Sequence, residues 1–280
     1  MRELDVSVIT DAVRRLCIKA NTELSPDVEA RLRQARDEEP WPAAQAMLSD
    51  LVQNLDVARR EHVAICQDTG IATVFLEIGQ DVHLVGGDLT EAVNRGVAAG
   101  YTEGYLRKSL VRDPLRRVNT NDNTPATLHM RIVPGEAVRI TVAPKGAGSE
   151  NMCTVKMLVP AEGIEGVRRF VVDWVTGAGG RPCPPTVVGV GIGGGFDSVA
   201  QLAKEALLRP LDEPNPDPFY DQLEHEMLDE INQSGVGPQG IGGRTTALAV
   251  LIKAAPTHIA MLPVAVCVNC HFARHASEVL

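Results

Sequence analysis

Aromatic side chains are scarce in this 280-residue chain: five Phe, three Tyr and two Trp, or 4%. Its core must therefore be packed by Val, Leu, Ile and Ala. Cysteine is sparse as well, with six residues at positions 17, 66, 153, 183, 267 and 270. That density excludes a small secreted fold built on disulfides. No run of 18 apolar residues occurs, which excludes an ordinary membrane-spanning helix. The opening MRELDVSVIT is too acidic and too polar for a secretory leader, so the chain reads as cytoplasmic, where thiols stay reduced. Basic charge is in deficit: 27 Lys and Arg face 36 Asp and Glu, for a net −9. This argues against nucleic acid or an anionic membrane as partner. No GxxxxGK[ST] phosphate loop, GxSxG elbow or HExxH zinc motif is found.

What is present is ordinary in bulk and uneven in detail. Apolar residues make up 44% and charged residues 22%, as in globular proteins. The 25 Gly and 18 Pro cluster around cysteines instead of spreading evenly. The spacing predicts an α/β chain (mixed α+β), with mixed β-sheets flanked by helices. We expect a single domain over 1–280, with a helical part at 1–60 packed on a body at 61–280. In the first part, Val6, Ile9, Val13, Leu16, Cys17 and Ala20 recur at helical spacing. Ser25-Pro26 opens a second helix and Pro42 a third. HVAIC and IATVFLEI read as strands, and a helix follows Asp88. TLHMRIV and AVRITVA, joined through Pro134-Gly135-Glu136, read as a hairpin. After KGAGSENM we expect one or two helices up to Thr176. TVVGVGIGGG reads as a buried strand, and the helix after it as capped by Asp197. A further helix, FYDQLEHEMLDEINQ, precedes two closing strands.

Several constellations carry competing chemistry. Cys66, Cys183 and Cys270 each sit in loop-like surroundings, CQDTG, RPCPP and CVNCH, and thiolates on loops suit zinc or iron–sulfur clusters. Cys17 lies on a helix's apolar face and reads as core. Cys267-x-x-Cys270 with His271 and His275 fits a small zinc site, or a non-catalytic zinc or redox module. Asp68-Thr69-Gly70 matches the aspartic-protease tripeptide, but in one copy where two carboxylates must share a proton. Gly189 to Gly194 formally fits GxGxxG, with Asp212 and Glu213 about 20 residues on. The plainer reading is that these glycines let the backbone pass close to another group. Arg107, Lys108, Arg112, Arg116 and Arg117 form a basic run in an acidic chain, either a solvated face or an anion contact.

Six segments occur in order: CQDTG at 66–70, NTNDNTPA at 119–126, KGAGSENM at 145–152, CPPTVVGVGIGG at 183–194, VGPQGIGG at 236–243 and HIAMLPVAVCVNCHFARHA at 258–276. Together they resemble the α chain of the iron–sulfur class I hydro-lyases, class I fumarate hydratase and L(+)-tartrate dehydratase. The resemblance implies one [4Fe–4S] cluster held by Cys66, Cys183 and Cys270, which should converge from separations of 117 and 87 residues. It implies acid–base work at Asp68 and His258, and substrate contacts at Gln67, Arg107 and Gly148. Three thiolates for four irons leave one iron open as a Lewis acid. The implied reaction is the reversible hydration of a small dicarboxylate, fumarate to L-malate first, tartrate or mesaconate next. Because Leu280 follows the last ligand by ten residues, a separate β subunit is expected to complete the active site. A homo- or hetero-oligomer is expected too.

Overall fold

The computed structural model describes residues Met1–Leu280. In chain order the elements are β1 (Arg2–Asp5), α1 (Val6–Thr22), α2 (Pro26–Glu38), α3 (Pro42–Glu61), β2 (Ile71–Gly79), β3 (Val82–Val85), α4 (Leu89–Glu103), β4 (Thr127–Val133) and β5 (Val138–Lys145). They continue with α5 (Ala147–Glu150), β6 (Thr154–Leu158), α6 (Gly163–Ala178), β7 (Thr186–Gly194), α7 (Phe196–Ala206), α8 (Pro218–Gln233), β8 (Ala247–Thr257), β9 (Leu262–Asn269) and β10 (Ala276–Val279). The mixed α/β class read from the sequence is thus the class observed. No helix is long and apolar enough to cross a membrane. The chain divides into two compact units, each assembled from separated stretches.

The first unit comprises Met1–Ser25, Asn54–Ala147 and Arg274–Leu280. Its helix α1 starts where Asp5 accepts the Ser7 N–H at 2.8 Å, and it buries the predicted stripe of Ile9, Val13, Leu16 and Cys17. That stripe joins Val97 and Tyr101 of α4, and Val74, Leu76, Ile140 and Val142 of the sheet, in one apolar core. The sheet has the order β10-β5-β2-β4, with β1 and β3 as a separate parallel pair. The expected hairpin does not form. β2 lies between the two strands, antiparallel to β5 and parallel to β4. β2 is the most apolar segment of the three and is buried along most of its length, so it takes the centre and pushes β4 to the edge. On that edge, Met130 and Ile132 are exposed. HVAIC is not a strand either; it crosses from the end of α3 into the loop that carries Cys66.

The second unit comprises Pro26–Gln53 and Gly148–Ala273. Its sheet runs β6-β9-β7-β8, with β9 antiparallel to both neighbours and β7 parallel to β8. β6 arises in a stretch read as helix; Thr154–Leu158 is short and only partly buried, so its pattern is weak. Helix α7 packs on β7 at backbone distance. A Cβ at Gly189 would meet the Ala203 carbonyl oxygen at 2.2 Å, and one at Gly191 the Val199 oxygen at 2.2 Å. The glycines of β7 therefore serve helix–sheet packing, and the GxGxxG reading falls away. Asp197 is not the cap of α7. Gly195 is, and its N–H donates to Ser198 Oγ at 2.8 Å.

Glu39, between α2 and α3, ties that helical corner to the loop before β8. Its buried carboxylate accepts the backbone N–H groups of Arg244 (2.9 Å) and Thr245 (2.9 Å) and the Thr245 hydroxyl (3.0 Å). Burial pushes its pKa up, but these donors outweigh burial and hold it below the usual 4.5. The stabilisation from Glu39 is therefore complete above pH 4.5 and lost as pH falls through the lower folded value. Glu39→Gln should cost about 1–3 kcal/mol near neutrality, and the difference from wild type should narrow in acid. Urea titrations at several pH values check this; a difference that is flat down to strong acid would contradict it.

Candidate functional site

In the first unit, the loop 66–70 is fixed from several sides. The backbone N–H of Asp68 points at Cys66 Sγ, 3.4 Å away. Asp68 Oδ1 accepts the Gly70 N–H at 3.1 Å, and Oδ2 accepts the Ala147 N–H at 2.8 Å. Each carboxylate oxygen thus keeps one lone pair, and the half-buried group braces its own loop while remaining reachable. Gly70 has φ +70°, and a Cβ there would lie 2.5 Å from the Lys145 carbonyl. Only glycine lets CQDTG press against the KGAGS backbone. Below the loop, the buried Tyr101 hydroxyl donates to the carbonyls of Thr69 (2.7 Å) and Gly70 (3.1 Å). Burial pushes the Tyr101 phenol well above its ordinary value, so it remains a donor at all ordinary pH.

Arg107 is brought to the same loop. Thr69 Oγ1 donates to the Arg107 carbonyl at 3.0 Å, and the Arg107 side chain is exposed. Asn123, fully buried with φ +62°, accepts the N–H groups of Ser109 (2.8 Å) and Leu110 (3.2 Å) and donates to Gly70 O at 3.1 Å. NTNDNTPA therefore clamps the arginine segment to the cysteine loop. Arg274, buried at 4% exposure, donates through Nη2 to the Asp68 carbonyl, while its Nε and Nη1 have no protein partner. Asn123 is one of the polar residues, with Asn121, Ser149 and Asn151, that the sequence offers as loop braces or substrate-side groups, and it braces the loop. Sequence reasoning missed Arg274 altogether, the one hint being that it lies inside the six ordered segments.

In the second unit, Cys183 and Cys270 share one end of the sheet. Asn269 pairs with Val187 in the antiparallel β7/β9 ladder, so the residue after β9 and the loop before β7 meet. The His271 N–H donates to the Cys183 carbonyl at 3.2 Å. His271 Nδ1 lies 3.0 Å from Gln239 Nε2, and that amide also donates to Pro184 O at 2.8 Å. Nδ1 also lies 2.9 Å from the Cys183 carbonyl oxygen, so His271 touches the Cys183 loop through both its backbone and its ring. VGPQGIGG thus supplies the group that fixes the Cys183 loop. Cys183 itself sits at φ +56°, a strained value for a residue with a Cβ, at a cost of about 1 kcal/mol.

Two expectations do not fit this end of the sheet. His258 follows β8, exposed in the turn to β9, where its Nδ1 accepts the Ala260 N–H at 3.1 Å. Beside it, Thr257 Oγ1 donates to Gly194 O, at the far end of β7 from Cys183. Nine residues of β7 lie between, roughly 27 Å of strand. His258 is therefore not beside its own chain's Cys183 and Cys270. The zinc or redox module on Cys267, Cys270 and His271 is likewise not formed. Cys267 Sγ faces Cys153 Sγ, and the close ligand group there is Glu150, Cys153 and Cys267. Gly148 is exposed after the first residue of α5, and Gln67 is exposed next to Cys66.

The thiols differ in chemistry. Cys66, Cys183 and Cys270 are all half-exposed on loops. Cys17 is fully buried, and burial pushes its thiol up to about 12, which keeps it protonated and inert.

A family profile described as Fumarate hydratase (Fumerase) matches residues 10–279. A protein of Methanocaldococcus jannaschii, provisionally named L(+)-tartrate dehydratase subunit alpha, is 40% identical over 274 residues, covering 96% of each chain. The L(+)-tartrate dehydratase subunits alpha of Escherichia coli K12 and Shigella sonnei are each 30% identical over 269 residues, 95% of this chain and 88% of theirs. These matches define the chain as a hydro-lyase. It belongs to the fumarate hydratase family.

The Tyr101 hydroxyl offers a test of the loop's support. Tyr101→Phe should leave the buried Thr69 carbonyl unbonded and cost about 1–3 kcal/mol. Chemical denaturation measures the loss; an unchanged midpoint would show that the loop does not depend on this bond.

Proposed function

We propose that the chain is the α subunit of a two-subunit hydro-lyase that adds water across the double bond of a four-carbon dicarboxylate, or removes it, with fumarate and L-malate as the first pair. The observation that carries this reading is the set of three half-exposed loop thiols, Cys66, Cys183 and Cys270, set against the inert Cys17. Their donor chemistry fits a [4Fe–4S] cluster: soft sulfur ligands on loops, a backbone N–H directed at Cys66 Sγ, and Cys183 and Cys270 at one end of a sheet. When bound, the cluster supplies Lewis acidity through an iron that no cysteine ligates.

The remaining roles belong to the chain's own side chains. Arg107, exposed and anchored through its carbonyl, offers two parallel N–H groups to a substrate carboxylate. Gln67 and the Gly148 N–H orient the substrate's other polar atoms. Asp68 holds or releases the proton that moves at the carbon next to the hydroxyl-bearing one, through the lone pairs its backbone partners leave free. Its two N–H bonds also fix its rotamer, so positioning and proton transfer fall on one residue. His258 lies too far along β7 to serve beside its own chain's Cys270, and we assign it to the site of a second copy. That agrees with a dimeric arrangement of αβ pairs.

The β subunit is proposed because the relatives matched over nearly their whole length are named as α subunits. Those same names favour a second substrate reading, L(+)-tartrate to oxaloacetate. The proposed compartment is the cytoplasm, where the six sparse cysteines of the sequence would stay reduced.

Anaerobic co-expression with a β chain, followed by assays on fumarate and on tartrate, tests the substrate. Fumarate turnover is expected; turnover of tartrate alone would transfer the assignment to the second reading. Cys66→Ser, Cys183→Ser and Cys270→Ser should each abolish bound iron and sulfide, whereas Cys17→Ser should keep both. A fully active protein holding only zinc would sink the cluster assignment. Arg107→Lys should raise KM by roughly ten- to a hundredfold with a smaller effect on kcat, because the paired N–H geometry is lost.

A further inference from the structure

Cys153 and Cys267 have no part in the proposed cluster, yet the fold sets them face to face. In the antiparallel pairing of β6 with β9, Thr154 stands opposite Val266. One step further along the same register, Cys153 stands opposite Cys267. Their sulfurs are 3.5 Å apart. Opposed residues of an antiparallel pair have Cα atoms about 4.5–5.5 Å apart, within the range of about 4.4–6.8 Å that a disulfide spans. Side-chain rotation therefore suffices to close the gap to a bonded length of about 2.05 Å.

The surroundings make one of the two thiols the reactive one. Cys153 is half-exposed, whereas Cys267 is buried at 3% exposure. Lys204 of α7 lies on the same cluster, with Nζ 2.7 Å from Glu150 Oε1. Burial opposes its charge, but the neighbouring Cys267, Glu150 and Cys153 outweigh burial and raise its pKa. Cys153 Sγ lies 3.5 Å from Glu150 Oε2 and 3.6 Å from the Ser149 carbonyl oxygen, and the Lys204 ammonium offsets the charge of that carboxylate. The same ammonium argues against a metal ion here. Glu150, Cys153 and Cys267 offer three ligand atoms within 4.8 Å, but the carboxylate already holds a positive charge.

We propose that Cys153 and Cys267 form a peroxide-reactive thiol pair that closes into an intrachain disulfide. The Cys153 thiolate attacks one oxygen of a hydroperoxide, breaking the O–O bond, forming a sulfenic acid and releasing hydroxide or alkoxide. The Cys267 sulfur then attacks the Cys153 sulfur; the S–O bond breaks and water leaves with the Cys267 proton. Two thiols are oxidised by two electrons and one peroxide is reduced. The product pins the SENM turn to β9 three residues before Cys270. The proposal holds whether or not Cys66, Cys183 and Cys270 carry a cluster.

The test is thiol mapping on the purified full chain. One equivalent of hydrogen peroxide is added, remaining thiols are alkylated, and the chain is cleaved and analysed by mass. The expected result is a Cys153–Cys267 crosslinked peptide, lighter by two hydrogens and reversed by a dithiol reductant. In Cys267→Ser the crosslink should vanish and a 1,3-diketone should trap a sulfenic acid at Cys153. Should serine variants fail to fold, the wild-type map alone decides. Full alkylation of both residues after peroxide, crosslinks of either to another cysteine, or one zinc ion held by the pair in place of oxidation would overturn the proposal.

Discussion

The antiparallel pairing of β7 with β9 is the constraint on which the thiol end of the second unit rests. The two strands arrive from parts of the chain some 80 residues apart. Their opposite directions bring the loop before one against the residue after the other. No side-chain attraction between Cys183 and Cys270 is needed for this. The ladder of backbone hydrogen bonds does it, and local groups refine it: His271 on the Cys183 carbonyl, and Gln239 on His271 and Pro184. The same pairing sends His258 to the opposite end. One register thus decides which of the motif residues can act together within a unit.

The first unit obeys a different logic, in which buried polar groups hold a loop in place. Tyr101, Asn123 and Arg274 all reach the backbone of residues 68–70 from below, and Asp68 ties the same loop to Ala147. Each of these bonds satisfies a carbonyl or an N–H that the turn leaves without a ladder partner. An exposed Gln67, a half-exposed Cys66 and an exposed Arg107 are what remains presented outward. Rigidity beneath and polarity above is the arrangement that the proposed substrate contacts of Gln67 and Arg107 call for.

Much of the helical structure was legible in the sequence, because α1, α2 and α3 carry clear caps, prolines and apolar periods. Sheet order was not. A strand's pattern tells how buried it is, but not which strand lies beside it, so β4 and β5 read as a hairpin although β2 separates them. β6 escaped notice because five residues at a half-covered edge show little alternation. At the site, the ordered segments pointed to the cysteine loops, Asp68 and Arg107. They said nothing of Arg274 or of the pairing of Cys153 with Cys267, which depend on contacts across more than a hundred residues. His258 shows the limit most plainly: twelve residues from Cys270 is near in sequence but, along an extended strand, far in space.

The backbone contact between α7 and β7 also bears on how this sequence can drift. At Gly189 and Gly191, any side chain would collide with a helix carbonyl. Substitutions there are barred by packing whatever the protein catalyses, while the outer face of α7 is free to change. A glycine string that imitates a nucleotide fingerprint is therefore held in place by a helix, with no nucleotide to select for it. In descendants of this fold it would outlast a change of substrate, and motif matching would keep reporting a ligand that the packing alone accounts for.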